Sequence, residues 1–390
     1  MATTADVVIV GGGIIGASVA YHLRADGFTG RVLVVDRDLT HMRAATAASM
    51  GGVRTQYCVA SNLAMAQYGL EFFAGFDEAL AGSWGRPRAH FRRAGYLMLA
   101  HGSNEVALRR RCAAQQAIGV GVEWLAPEDI RHVVPPLAID DVAGALWTRE
   151  DGYVNPGGAL QGFIERSREL GAAWRQDEVV GLHLEGARAT VRLRDAGTLS
   201  TAVVVLAAGA WSSEVSRLAS VDLPVYPLRR QACLVQLGTP PAAPMPMVLD
   251  RDNPINFRSD TETTDHLLVS RQLPGEPQGF RFDWDVESFA AHIAPRLRRY
   301  LPGCGEPRLQ RGWAGHYDVS PDENPILGPH PEHPSLMIAA GFSGHGLMLA
   351  PAAGRITSDL IRLGRTEALE ARPYRLGRFA EGEPIVDPQI

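Results

Sequence analysis

The chain has 390 residues, 46% apolar and 21% charged, a globular balance that excludes a disordered or fibrous protein and suits about two domains. Its net charge of −5 argues against a dedicated nucleic-acid binder, whose footprint is a basic surplus. All 38 basic residues are arginine, which excludes Schiff-base chemistry, a Walker phosphate lysine and a lysine base.

In chain order, Val7-Val8-Ile9-Val10 reads as a buried strand, broken by Gly11-Gly12-Gly13. Ile15, Val19 and Leu23 then recur at i, i+4 and i+8, one face of a helix. Val32-Leu33-Val34-Val35 is a second buried strand, closing at Asp36. Residues 44–58 are small and polar, a loop able to approach a ligand, and helical patterns follow to about residue 82 and around 104–120. A turn at Asp151-Gly152-Tyr153 leads into a helix over 158–170, then strands at 178–182 and 189–193, and an apolar strand 202–206 ending in Ala207-Ala208-Gly209. From 221 to 307 prolines, alternating strands and a basic helix at 287–301 mark a change of character. The chain closes with the apolar strand 336–340, a glycine loop at 341–346 and a helix from about Pro351 carrying Ile356, Leu360 and Leu363 on one stripe.

The four cysteines contain no CxxC pair, so neither a zinc ribbon nor a disulfide framework is expected. His330-Pro331-Glu332-His333 reads as a surface loop, and no metal is expected. No apolar run reaches the length of a membrane span or a signal-peptide core, which points to a cytoplasmic protein.

Gly11-Gly12-Gly13-Ile14-Ile15-Gly16 fits G-x-G-x-x-G, with a strand before it, a helix after it and Asp36 twenty residues past Gly16. That is the full context of a dinucleotide site. Gly11 makes the tight turn, Gly13 lets the backbone approach a pyrophosphate, and Gly16 packs helix on strand. Asp36 accepts from a ribose hydroxyl pair. The fingerprint alone does not choose between NAD and FAD.

Five further segments make that choice: Gly51-Gly52-Val53-Arg54, Asp151-Gly152-Tyr153-Val154-Asn155-Pro156, Ala207-Ala208-Gly209-Ala210-Trp211-Ser212, Ser320-Pro321-Asp322-Glu323-Asn324-Pro325-Ile326-Leu327-Gly328 and Gly341-Phe342-Ser343-Gly344-His345-Gly346. With the fingerprint, in this order, they resemble the D-amino-acid-oxidase-like flavoproteins nearly end to end, in the sarcosine oxidase and amino-acid dehydrogenase branch. The resemblance implies an α/β protein: a Rossmann-type FAD-binding domain (1–85, 150–220 and 308–390) interleaved with a mostly antiparallel substrate-binding cap (86–149 and 221–307). It implies FAD contacts at Gly11, Gly13, Ile15, Gly16, Asp36, Arg37, Thr46, Ser49, Gly51, Gly52, Val179, Ala208, Gly209, Trp211, Gly315, Gly344, His345, Gly346, Leu347 and Met348. Arg54 is expected above the flavin, gripping a substrate carboxylate. Met348 stands where monomeric sarcosine oxidase has an oxygen-activating lysine, and Gly315 where it has a flavin-linking cysteine. Noncovalent FAD and a dehydrogenase rather than an oxidase are the expectations.

The implied reaction oxidises an amino acid or N-alkyl amino acid bearing a carboxylate to an imine, by hydride transfer to flavin N5. Tyr317, Arg258 and Arg271 are further pocket candidates. One alternative is a 2-hydroxy-acid dehydrogenase, which needs a base such as His316 or His345. The other is a non-catalytic flavoprotein, since residues 328–347 are also similar to a mitochondrial respiratory-complex assembly flavoprotein.

Overall fold

In the computed structural model of the protein, which describes residues 3–272 and 275–387, Val7–Val10 is a strand with all four residues buried. β-Branched side chains suit a pleated backbone, and burial on both faces is what a covered parallel sheet requires. The strand lies inside a six-stranded sheet ordered Ile326–Pro329, Leu336–Ala340, Val203–Leu206, Val7–Val10, Val32–Asp36, Ala173–Gln176. Every pairing is parallel except that of Ile326–Pro329 with Leu336–Ala340. Val7 pairs with Val203 on one side and Val32 on the other.

The helices Ile14–Ala25, Ala60–Ala74, Pro156–Glu169 and Gly346–Leu363 share one apolar core with this sheet. Two of them approach closely enough for Ser18 Oγ to donate to the carbonyl of Ala350 at 2.7 Å. On the other face, Val8, Val204, Leu206 and Leu336 pack against Val191, Leu193 and Leu199 of a small four-stranded sheet. Among the described residues no helix is long and apolar enough to cross a membrane.

The second large sheet has eight strands, ordered Arg308–Val319, Tyr226–Gln236, His266–Arg271, Ile255–Ser259, Met247–Asp250, Tyr96–Ala100, Gly144–Thr148, Val122–Leu125. Only Met247–Asp250 and Tyr96–Ala100 run parallel. The expected boundary at 307 differs from this arrangement. Arg308–Val319 is the edge strand of the large sheet, paired from Gln236↔Arg308 to Tyr226↔Val319. Backbone pairing of that length, broken only by a register shift at Leu234/Val235 and invisible to a single-strand reading, carries the eight-stranded sheet on to residue 319.

Two helices also differ from expectation. The basic helix is broken into Val286–Ser288, a wide π turn Phe289–Ile293 and Ala294–Tyr300. The wide turn falls just before Pro295, which has no N–H for the carbonyl four residues back. The last long helix starts at Gly346, not at Pro351, which sits inside its second turn. This early start places the helix N-terminus in the glycine loop.

Candidate active site

Gly11 takes φ +105°, and a Cβ there would lie 2.3 Å from the carbonyl oxygen of Ala207. A Cβ at Gly16 would lie 1.9 Å from the carbonyl oxygen of Gly11. Turn and helix therefore close on one another only with glycine at both positions. The result aims the first turn of Ile14–Ala25, whose N–H groups have no helical acceptors, at a cavity of about 650 Å³. Thr46 Oγ1 accepts the N–H of Ile14 at 3.2 Å. Asp36 accepts the N–H groups of Gly12 at 2.6 Å and Asp38 at 2.9 Å, and its carboxylate keeps lone pairs for ligand hydroxyls. Arg37 lies 4.1 Å over the ring of Trp211, which stacks on Phe280 at 4.8 Å.

Arg54 follows the two-stranded antiparallel ladder of Gly52–Val53 with Gly152–Tyr153 and is only 5% exposed. Its Nη1 donates to the Gln56 carbonyl at 3.2 Å, its Nη2 to His345 Nε2 at 3.0 Å, and its Cζ sits 5.0 Å from the Tyr57 ring centre. Among the described residues it forms no ion pair. Burial, then the charges of Arg54 and Arg251, holds the His345 pKa well below the usual histidine value. His345 is therefore neutral, carries its proton on Nδ1 and offers its other lone pair to Arg54.

Two buried carboxylates set this geometry. Asp151 accepts the Thr55 N–H at 3.0 and 3.1 Å, the Thr55 hydroxyl at 2.8 Å and the Thr148 hydroxyl at 2.5 Å, clamping the residue next to Arg54. Asp318 accepts the N–H groups of Gly341 at 2.8 Å and Phe342 at 3.1 Å, holding the glycine loop. Burial lifts both carboxyls to about 6, against the opposing pull of those hydrogen bonds. Behind the loop, the free N–H groups at the start of Gly346–Leu363 face the cavity, where Tyr57 donates to Met348 Sδ at 4.0 Å.

The eight-stranded sheet supplies the opposite wall through Tyr96, Met247, Leu249, Asn256, Ser270, Gly315 and Tyr317. A Cβ at Gly315 would lie 2.4 Å from Ala48 Cβ, so this stretch of wall has no room for a side chain. Arg230 lies 5.1 Å over the ring of Tyr317.

Of the site residues expected from sequence, all but Gly16, Gly51 and Arg258 line this one cavity. Gly16 and Gly51 act one layer behind it, as packing points of the turns. Arg258 is a correction. It is 1% exposed and donates to the carbonyls of Met50 at 2.5 Å, Ser259 at 2.7 Å and Val154 at 3.4 Å, with the Tyr153 ring 4.5 Å away. Burial lowers its pKa to about 10. All its strong donors serve backbone, so it clamps the two-stranded ladder that precedes Arg54 and does not line the cavity. Arg271 lines the cavity, with its Nη1 on Ser288 Oγ at 3.3 Å.

His316, the other histidine considered as a base, also lines the cavity. Its Nε2 accepts the N–H of Arg281 at 2.9 Å, and its ring is packed by Phe280 and Phe282. Sequence reasoning missed Tyr57, Arg230, Arg251 and the anchoring by Asp151 and Asp318. Asp151 and Asp318 lie in or beside motif segments, but no local pattern signals that a carboxylate will be buried on backbone donors. Among the described residues no cluster of three His, Cys, Asp or Glu side chains suits a metal ion.

A fingerprint turn on a parallel sheet, beside a cavity walled by a second sheet, defines a dinucleotide-binding type of protein. The chain belongs to the FAD dependent oxidoreductase family, whose model matches residues 6–360. It is 32% identical to a bovine (Bos taurus) FAD-dependent oxidoreductase domain-containing protein 1, over 97% of this chain and 85% of that one. It is 28% identical to a glycine oxidase of Bacillus licheniformis, over 94% and 96%. Among solved structures it is similar to L-proline dehydrogenase from P. horikoshii, with a TM-score of 0.87, 27% identity and coverage of 99% and 100%. FAD is thus the cofactor, and the helix N-termini, Asp36 and the glycine turn suit its pyrophosphate and ribose.

Proposed function

We propose that this protein oxidises the C–N bond of an amino acid or N-alkyl amino acid, acting as a dehydrogenase rather than an oxidase. The observation that carries the reading is Arg54: a guanidinium buried in the cavity wall that forms no ion pair among the described residues. Leaving a charge buried without a counter-ion costs several kcal/mol, on the order of what removing one partner of a buried pair costs. An anionic ligand removes that cost, and a guanidinium grips a carboxylate through two parallel hydrogen bonds. Relatives named for glycine and proline oxidation support the substrate class.

FAD, when bound, supplies the two-electron acceptor for the substrate hydride. Arg54 fixes the carboxylate, and Gln56 and His345 fix Arg54. The amine binds neutral; its C–H bond leaves with both electrons, the nitrogen lone pair closes the C=N bond, and the N–H proton passes to solvent. Water then converts the imine to the carbonyl product, unless the imine is cyclic and stable. Positioning of the substrate by Arg54 supplies most of the rate, without a protein base. That matters for the hydroxy-acid alternative, because His345 is committed to Arg54 and His316 to Arg281. The dehydrogenase preference rests on Met348, a neutral thioether capped by the Tyr57 hydroxyl.

Anaerobic mixing with amines, amino acids and 2-hydroxy acids tests the reading through loss of the visible flavin band. Bleaching by carboxylate-bearing amines alone is expected. Bleaching by hydroxy acids, or by nothing in the panel, overturns it.

A further inference from the structure

The strand Met247–Asp250 presents alternate residues to the cavity. Met247 and Leu249 line it, whereas Val248 and Asp250 are fully buried on the other side. The same period of two brings the next cavity-facing position to Arg251. This arginine lines the cavity that Arg54 and His345 line, and stands open to solvent at its mouth.

The turn that carries Arg251 is pinned from behind. Asp250 accepts from the Tyr300 hydroxyl, from His101 Nε2 at 2.7 Å, and from the backbone N–H and Nδ2 of Asn253 at 2.9 and 3.0 Å. Arg296 Nε holds the Asn253 carbonyl at 3.0 Å. Such a fixed backbone lowers the ordering cost of any contact Arg251 makes.

Among the described residues Arg251 has no ion-pair partner, and no hydrogen bond engages its guanidinium. Although its side chain reaches solvent, partial enclosure by the cavity rim, followed by repulsion from Arg54 and Arg111, pulls its pKa down to about 10, and Glu323 opposes. Arg54 and Arg251, two guanidinium groups on one cavity with no ion pair among the described residues, favour an occupant with more than one negative charge.

We infer that the substrate carries two carboxylates, one held by Arg54 and the second taken at the cavity mouth by Arg251. The class is an amino dicarboxylate or an N-carboxyalkyl amino acid. This rests on the proposed role of Arg54 as the first carboxylate site. The alternative is that Arg251 serves only as a loose partner of Glu323.

Holoenzyme titration with unreactive carboxylates separates the two, read as the shift of the visible flavin spectrum. The probes are propionate and butyrate against malonate, succinate and glutarate, at fixed ionic strength. Wild type is expected to bind its best dicarboxylate about tenfold or more tighter than the monocarboxylates, one charge-assisted pair being of that order. Arg251→Gln should erase that preference by bringing dicarboxylate affinity down to that of the monocarboxylates; the solvent-reaching position makes a folding failure of the variant a poor explanation of the result. Equal binding of the two classes, or a preference that survives Arg251→Gln, overturns the inference. In that case continued loss of monocarboxylate binding in Arg54→Met leaves the Arg54 reading standing. Monocarboxylate binding that ignores Arg54→Met overturns both.

Discussion

Replacing Arg54 by methionine keeps an aliphatic stem beside Tyr57 and removes the charge and the fork. A charge-assisted pair with a substrate carboxylate is worth about 1.5–3 kcal/mol, so KM should rise about ten- to a hundredfold. Stability should respond differently. The change leaves His345 Nε2 without its donor, at about 1–3 kcal/mol for a buried acceptor, whereas the Gln56 carbonyl keeps the Arg111 Nη2 donor at 3.2 Å. The change also removes a guanidinium that is 5% exposed and has no ion pair, whose desolvation penalty is several kcal/mol. The two terms oppose, and the second is at least as large. Without substrate, the melting temperature of the variant should therefore hold or rise. Steady-state kinetics with an acceptor dye, flavin absorbance per mole of protein and thermal unfolding measure all three. An unchanged KM would falsify the carboxylate role. A clear fall in melting temperature with loss of flavin would show instead that Arg54 is structural.

Asp151 has a folded pKa of about 6 against an ordinary 3.8, so the folded state binds more protons than the unfolded one between those values. Its contribution is full below about pH 4 and is lost as pH rises through 6, by about 3 kcal/mol in all. The difference in unfolding free energy between wild type and Asp151→Asn should shrink across that window, and denaturant curves that stay parallel with pH refute the shift. Acid precipitation of the yellow protein should release all FAD to the supernatant, because Gly315 offers no sulfur; flavin in the pellet contradicts this. Gly315→Ala should weaken FAD retention, since its Cβ meets Ala48 at 2.4 Å and overpacking costs about 1–3 kcal/mol; unchanged retention on dilution would show that the 44–49 loop yields freely. Reduced wild type should reoxidise slowly in air and Met348→Lys faster, because a fixed positive charge stabilises developing superoxide. Stopped-flow traces showing wild type as fast as true oxidases sink the dehydrogenase preference.

The local patterns carried much of this protein. Four branched residues, three glycines, an amphipathic helix and an acidic strand end occur within 36 residues, and each follows from short-range sterics and periodicity. The fingerprint turn could therefore be read without a neighbour in view, and so could the buried strands 203–206 and 336–340. Ala207 could not be read as the residue against which Gly11 closes, because that contact spans nearly two hundred positions. The tertiary structure alone made Arg258 a clamp: it shares a strand with Asn256, yet its donors reach the carbonyls of Met50 and Val154 from two distant segments as well as that of its neighbour Ser259. It alone put Arg308–Val319 on the large sheet, since an edge strand is chosen by a partner eighty residues away. Arg54, His345 and Arg251 come from three distant segments, and their charges interact only because two sheets enclose one cavity. Residue type is local, whereas burial and electrostatic surroundings belong to the assembled fold.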